Sequence, residues 1–146
     1  MKTIERTIAV PTPIQRVWEY VVDFTTTEEW DPPTETTVRV SGDGGVGTVY
    51  RNVSRLLGNE VESEYTVVAR DELRLFQLEG ANGGMRLRDT ITFEGDASGT
   101  TLTYRAEFHP RGALKLVEPL LPLGLKRLGD RTSDQLETCL RELAAS

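Results

Sequence analysis

The fold is decided by residues 112–143, GALKLVEPLLPLGLKRLGDRTSDQLETCLREL, because apolar residues recur there at helical spacing. They stand three, four or eight residues apart, which keeps them on one side of a helix. These positions are Leu114, Val117, Leu121, Leu125, Leu128, Leu136, Leu140 and Leu143. Burying about eight such side chains contributes on the order of 10–20 kcal/mol before conformational entropy is subtracted. A helix of this length needs a broad apolar surface to lie on.

Two prolines, Pro119 and Pro122, interrupt this stretch. Proline cannot continue the hydrogen bonds of a helix, so the regular helix is predicted to begin near Pro122. Segment 114–125 also carries more apolar residues than one stripe of a helix can bury. Three interpretations stay open for it: a gate, a dimer contact, or simple core packing.

The N-terminal third predicts one strand and two short helices. Residues 2–10 alternate between apolar and polar side chains, which is typical of a strand. A helix is predicted to follow directly, with Thr12 as N-cap, Pro13 at its first position and Gln15 completing a capping box. Residues 25–30 predict a second short helix, which ends before two consecutive prolines.

From Thr34 onward the pattern is that of strands joined by tight turns. Four turns index the strands against each other. The turns Gly58-Asn59, Asp71-Glu72, Asn82-Gly83 and Gly95–Gly99 set Tyr50 opposite Val67, Tyr65 opposite Leu78, Leu78 opposite Leu87, and Ile91 opposite Tyr104. All four pairings place apolar residues on one face of the sheet and charged residues on the other. Because a slip of one residue inverts a strand, this agreement supports the assignment.

The order of elements is therefore one strand, two helices, six antiparallel strands and a long helix. This order predicts an α+β fold in which a twisted sheet wraps one amphipathic helix. The length of 146 residues fits one domain, residues 1–146, with a substantial core.

Composition excludes several classes of function. The net charge of −6 argues against a nucleic-acid partner, and no apolar run is long enough for stable membrane insertion. The chain has one histidine and one cysteine, too few for a catalytic triad or a cysteine-rich metal site. We therefore predict no metal and no cofactor. The N-terminus lacks an apolar signal core, so a cytoplasmic location is expected.

The chain resembles the SRPBCC superfamily of START-like, helix-grip proteins, and within it the polyketide cyclase/dehydrase-like branch. The resemblance depends on the order of motifs along nearly the whole chain. They are the opening strand into Pro13, Val17-Trp18, Asp23-Phe24, Trp30 before Pro32 and Pro33, Gly47, Gly99-Thr100-Thr101, and the C-terminal helix. The resemblance implies a seven-stranded antiparallel sheet gripping the last helix, with a deep cavity between them. Members bind lipids, polyketides, quinones or similar molecules, and some are cyclases or dehydratases.

The predicted inner face also carries polar groups: Asn52, Ser54, Ser63 and the hydroxyls of Tyr50 and Tyr65. In a packed core, each polar group without a partner costs roughly 1–3 kcal/mol. A cavity that holds water or the polar end of a ligand would satisfy them. The alternative is a few structural waters, or a cluster near the open end of the sheet.

Arg74 and Asp89 index to the same inner face, one diagonal apart. A buried pair of this kind is expensive, and function is one reason to keep it. Asp89 would act as acid or base, and Arg74 would hold a carboxylate or enolate. The alternative is a structural salt bridge or an exposed strand end.

We therefore predict a cavity between sheet and C-terminal helix that binds a small hydrophobic molecule. The residues predicted to line it are Trp30, Tyr50, Asn52, Tyr65, Phe76, Met85, Asp89 and Tyr104. Trp30 could instead pack against the last helix. One alternative function is a cyclase or dehydratase in which Asp89 and Arg74 assist the reaction. Another is a protein-interaction module, and a monomer or homodimer fits each of these functions.

Overall fold

A computed structural model describes residues 2–56, 58–112 and 121–145 of the chain. Within these ranges it contains seven strands and three helices. They are β1 (Lys2–Val10), α1 (Ile14–Val21), α2 (Thr27–Trp30), β2 (Thr34–Ser41), β3 (Val49–Leu56), β4 (Asn59–Asp71), β5 (Leu75–Ala81), β6 (Met85–Asp96), β7 (Gly99–Pro110) and α3 (Leu121–Ala145). One 3-10 turn, Phe24–Thr26, precedes α2. Residues 114–120 of the predicted gate or dimer contact lie outside the described residues.

The seven strands form one antiparallel sheet in the order β1-β7-β6-β5-β4-β3-β2. Strand β1 pairs with β7, so the two ends of the strand sequence meet, and the other strands follow chain order. Helix α3 packs against β1 and against α2. The predicted α+β architecture is confirmed: a seven-stranded sheet, two short helices after the first strand, and a long C-terminal helix. Helix α3 is described from Leu121 onward, so the predicted helix start near Pro122 lies at the edge of the described residues.

The predicted register is confirmed for the last hairpin, where Ile91 lies opposite Tyr104. The other three registers are wrong by two residues, and beyond the bulge in β4 the β4–β5 register is wrong by three, with Phe76 opposite Arg70. Tyr50 lies opposite Tyr65, Val67 opposite Leu78, and Leu78 opposite Asp89. Because side chains alternate with a period of two, a shift of two residues leaves every side chain on its predicted face.

The turns explain these shifts. The turn between β5 and β6 lies one residue later than predicted: the Asn82 amide donates to the Met85 carbonyl at 3.0 Å, so Gly83 and Gly84, rather than Asn82 and Gly83, form the turn. The amide of Gly84 donates to the Asn82 side-chain oxygen at 3.0 Å, which closes the loop locally. Asn59 already pairs with Leu56, so it belongs to β4 rather than to the turn. Between β4 and β5 the register also shifts at a bulge next to Val67.

The predicted capping box at the start of α1 is wrong, because the Thr12 side chain has another role. Pro13 occupies the N-cap position, and no side chain caps the helix. The buried Thr12 hydroxyl instead donates to the carbonyl of Leu140 in α3 at 2.6 Å. The Thr12 carbonyl accepts from the Thr100 hydroxyl of β7 at 2.7 Å. Thr12 therefore joins the start of α1 to the last helix and the last strand.

Helix α3 comes closest to the sheet at Gly129, which lies against β1. A Cβ atom at this position would stand 2.6 Å from Cγ2 of Ile4 and 3.1 Å from the guanidinium of Arg6. One residue later, Asp130 forms a 3.0 Å ion pair with Arg6. The absence of a side chain at Gly129 therefore sets how closely the helix approaches β1.

Gly129→Ala is expected to destabilise the protein by about 1–3 kcal/mol, because the added methyl group overpacks the contact with Ile4. Gly124→Ala in the same helix is the matched control, since nothing lies within 4 Å of its added Cβ. There the better helix propensity of alanine is expected to stabilise by about 0.5–1 kcal/mol. Urea unfolding of both variants measures the difference. Equal effects of the two substitutions would contradict the close-approach argument.

Candidate functional site

A cavity of about 210 Å³ lies between the inner face of the sheet and α3. One buried water needs roughly 10–15 Å³, so this space exceeds the need of single structural waters many times over. Its wall is mainly apolar and includes Ile4, Ile8, Phe24, Val61, Leu87, Phe108 and Leu136. The size and the wall together are those of a small-molecule site rather than of a packing defect.

Six of the eight predicted lining residues do line this cavity: Trp30, Asn52, Tyr65, Met85, Asp89 and Tyr104. Trp30 forms part of the wall, with its ring 5.8 Å from that of Tyr104 in an edge-on arrangement. Its indole nitrogen donates to the Thr26 hydroxyl at 3.1 Å, which fixes the ring. The inner face predicted from alternation therefore coincides with the cavity wall at these positions.

Tyr50 and Phe76 do not line the cavity, and their prediction as lining residues is wrong. Both are fully buried in the core, at 2% and 0% exposure. The Tyr50 ring packs 5.5 Å from that of Phe24. Toward this end of the sheet α1 fills the space, with Trp18 contacting Phe93 at 5.0 Å. The alternation of apolar and polar residues predicts which face of the sheet a side chain lies on, but not whether that part of the face borders the cavity or the packed core.

The predicted inner-face pair of Arg74 and Asp89 is also wrong. Arg74 is exposed and lies in the turn that precedes β5, where its amide donates to the carbonyl of Asp71. The residue opposite Asp89 is Leu78, because the register is shifted by two. Arg74 therefore contributes nothing to the cavity, and Asp89 remains without it.

A directed chain of hydrogen bonds runs beneath one side of the cavity. The amide nitrogen of Asn52 donates to the hydroxyls of Thr34 at 3.0 Å and Thr37 at 2.9 Å. The Thr34 hydroxyl in turn donates a hydrogen bond to the Asp31 carboxylate at 2.6 Å. Thr27 donates to the Phe24 carbonyl at 2.7 Å, so its 2.6 Å contact with Thr37 must have Thr37 as donor. Each hydroxyl proton in the chain is thereby used.

Asp31 is a lining residue that sequence reasoning missed as a site residue. It follows α2 directly, where it was interpreted only as part of a helix stop. Burial raises the pKa of Asp31, while hydrogen bonds from Thr34 and Thr132 act against this shift. Thr132 belongs to α3, and its hydroxyl lies 3.5 Å from Asp31. Nothing in the local sequence relates residues so far apart in the chain.

Asp89 is a second buried acid of the cavity wall. Its side chain projects from the middle of β6 and is 7% exposed. Burial raises the pKa of Asp89 to about 7, and the nearby charge of Asp31 adds to this shift, while a hydrogen bond from Tyr104 opposes it. A carboxyl group with this pKa changes its charge near neutral pH.

Tyr65 lies across the cavity wall because its cross-strand partner is Gly80. A Cβ atom at Gly80 would stand 2.7 Å from the Tyr65 ring, so only glycine leaves room for the ring in this position. Burial raises the pKa of both Tyr65 and Tyr104, and the charge of Asp89 adds to each shift. Both phenols therefore stay protonated and offer hydroxyl groups to the cavity.

Residues 2–56, 58–112 and 121–145 contain no group of three His, Cys, Asp or Glu side chains arranged to hold a metal ion. Within the same ranges, no helix is long and apolar enough to cross a membrane. The described groups available for chemistry at the cavity are mainly carboxyl, hydroxyl and amide groups.

The model of the family described as "Polyketide cyclase / dehydrase and lipid transport" matches residues 1–141. This chain belongs to that family. None of the curated proteins compared matches it significantly. Among solved structures, a protein from Thermus thermophilus is 21% identical and has a TM-score of 0.80, with 99% of each chain covered.

Two further solved structures share the fold. The ZhuI aromatase/cyclase from Streptomyces sp. R1128 is 18% identical with a TM-score of 0.79, covering 94% of this chain and 92% of the other. A START superfamily protein from Mycobacterium smegmatis is 14% identical with a TM-score of 0.71, covering 97% and 98%. At these identities the likeness shows the fold alone, and it confirms the START-like resemblance.

The raised pKa of Asp89 predicts a specific dependence of this family member's stability on pH. The unfolded chain loses the Asp89 proton near about pH 4, but the folded protein keeps it until about pH 7. Stability is therefore lost as pH rises between these values. Asp89→Asn removes this loss, so its advantage over wild type is expected to grow from near zero at pH 4 to on the order of 3–5 kcal/mol at pH 8.

Urea unfolding at a series of pH values measures this difference. Glu94→Gln is the control, because Glu94 lies on the same strand but is exposed. Its curve is expected to run parallel to that of wild type. An Asp89→Asn effect that is constant from pH 4 to pH 8 would contradict the raised pKa.

Proposed function

We propose that this protein binds a small hydrophobic molecule with a polar end in the cavity between the sheet and α3. The observation that carries the proposal is the cavity itself, about 210 Å³ with a mainly apolar wall. Its membership in a family described by polyketide cyclases, dehydrases and lipid transport supports the same conclusion. Binding is driven by removing apolar ligand surface from water, on the order of 25 cal/mol per Å² before the costs of association.

Several polar side chains of the cavity wall come from the sheet. Asp89, Tyr104 and Tyr65 contribute from adjacent or nearby strands, and Asn52 from β3. The apolar side chains of Ile4 and Leu136 face the same cavity from β1 and α3. The polar side chains are available to hydrogen-bond the polar end of a ligand, and the apolar side chains to contact its body.

Filling the cavity is expected to abolish binding. Ala106 lies in the wall beside Asp89, its cross-strand partner, so Ala106→Leu places three more carbon atoms in the ligand space. Ala81→Leu makes the same substitution at an exposed position of β5. With 2-naphthylmethanol as a neutral probe, isothermal titration is expected to show binding by wild type and Ala81→Leu but at least ten-fold weaker binding by Ala106→Leu. Equal affinities of all three proteins would refute the cavity as the binding site.

A second candidate function is catalysis of the cyclase or dehydratase type, and Asp89 favours it. A carboxyl group whose pKa is about 7 can both accept and donate a proton at neutral pH. Tyr104 and Tyr65 would hydrogen-bond to an enolate oxygen formed beside it. Arg74 has no part in this mechanism, because it is exposed in a turn outside the cavity.

Proton exchange at a bound ketone tests this second candidate. Wild type is expected to accelerate deuterium incorporation at the methyl group of 2-acetonaphthone in D₂O, followed by NMR. Asp89→Asn is expected to lower the rate by about 100-fold or more, as for loss of a general base. Glu94→Gln, which removes an exposed acid from the same strand, is expected to keep it. If wild type gives only the uncatalysed rate, the protein is a binder and not an enzyme of this type.

A further inference from the structure

The hydrogen bonds of Asn52 decide which of its polar groups faces the cavity. Both protons of the Asn52 amide are used by Thr34 and Thr37. The amide cannot be turned over, because Thr34 already gives its only proton to Asp31 and must accept from Asn52. What Asn52 can still offer a ligand is therefore its carbonyl oxygen, an acceptor.

The charged groups at the cavity are unbalanced. Asp89 and Asp31 both line it, and the charge of Asp31 disfavours ionisation of Asp89. Among the described lining residues Arg6 is the one base, and it is held at 3.0 Å by Asp130 and by the Lys126 carbonyl at 3.3 Å. No described cation therefore neutralises Asp89. Tyr104 is its hydrogen-bond donor.

Ser54 supplies an independent observation. It is 8% exposed and lines the cavity, and no described residue forms a hydrogen bond with its hydroxyl. Among the described residues, every fully buried polar side-chain atom has a hydrogen-bond partner. Because the Ser54 hydroxyl has none, it is not fully buried and must be open to the cavity. The cavity is therefore the place from which a partner for Ser54 can come.

We propose, on the basis of the binding function above, that the ligand's polar end is a protonated amine. Asp89 accepts the charge of this ammonium group, while the Asn52 carbonyl and the Ser54 hydroxyl are further acceptors elsewhere in the cavity wall, on β3. An ammonium group offers up to three donors and no acceptor, and it supplies the positive charge that no described lining residue gives Asp89. The apolar wall takes a hydrocarbon or aromatic body.

The same arrangement selects against anions. A carboxylate at this position would meet two acids and one base that is already paired. Burying a like charge beside Asp89 is unfavourable unless a cation accompanies it. Fatty acids and other carboxylates are therefore expected to bind more weakly than neutral molecules of the same shape.

Three probes with one body separate these cases: 2-naphthylmethylamine, 2-naphthylmethanol and 2-naphthoate, titrated calorimetrically at pH 8. The amine is expected to bind wild type at least ten-fold more tightly than the alcohol, and the carboxylate more weakly than both. In Asp89→Asn the amine is expected to lose at least ten-fold in affinity, while the alcohol changes by less than about three-fold. Glu94→Gln controls for the overall negative charge and is expected to change nothing.

The dependence on pH gives a second readout that a merely structural Asp89 would not produce. Asp31, Tyr104, Tyr65 and Arg6 are the described titratable groups that face Asp89 or the cavity around it. The pKa of Asp89 is raised to about 7, and burial raises that of Asp31 as well. Amine binding is therefore expected to be about ten-fold weaker at pH 6 than at pH 8, while alcohol binding stays constant.

The outcomes separate this inference from the proposed function. If the alcohol binds as tightly as the amine, or the carboxylate binds more tightly, the inferred protonated amine is wrong, but the cavity is still the binding site. If none of the three probes binds wild type more tightly than Ala106→Leu, the cavity function fails and the amine fails with it. Amine binding that survives in Asp89→Asn would also overturn the inference.

Discussion

The close approach of α3 to β1 at Gly129 determines where the rest of the space in this protein lies. The helix backbone is held against Ile4 because no Cβ intervenes, and the pair Arg6–Asp130 fixes it there. Further along the helix, the Leu140 carbonyl accepts from Thr12 at 2.6 Å. A helix fixed at these points cannot also pack directly against the middle of a curved sheet. The cavity is the space that this constraint leaves unfilled.

The polar groups around the cavity follow from the same geometry. Side chains on the inner face cannot reach water on the outside, so each must find a partner within the protein or the cavity. The threonines around Asn52 satisfy their hydroxyl groups by donating hydrogen bonds in one direction. The chain of bonds ends at two acceptors, Asp31 and the Phe24 carbonyl. The chain fixes the orientation of the Asn52 amide. Satisfying these groups therefore also decides which hydrogen-bonding group faces the cavity.

Much of this fold could be predicted from alternation, because assignment to a face needs only the parity of a residue. Three registers are wrong, by two residues outside the bulge in β4, and this even shift leaves the strand residues on their predicted faces. Position along the strand depends on the register itself, so Tyr50 and Phe76 were assigned to the cavity although α1 covers that end. The prediction for Arg74 is wrong because this residue lies in a turn and not in a strand. Asp31 and Thr132 meet at 3.5 Å across 101 residues of sequence, a contact that no local pattern encodes.

Asp89 is costly for stability, and that cost bears on its role. An asparagine has nearly the same shape, accepts the same hydrogen bond from Tyr104 and carries no charge to desolvate. A carboxyl group buried at 7% exposure beside a second acid, with no described base to neutralise it, gains nothing for folding that asparagine would not supply. Its one distinct property is a charge that switches near neutral pH. A ligand that supplies a cation would turn this cost into binding energy, since it would restore the ionised form in a water-poor site. Under the proposed amine binding, Asp89 is therefore unfavourable in the empty protein and favourable in the occupied one.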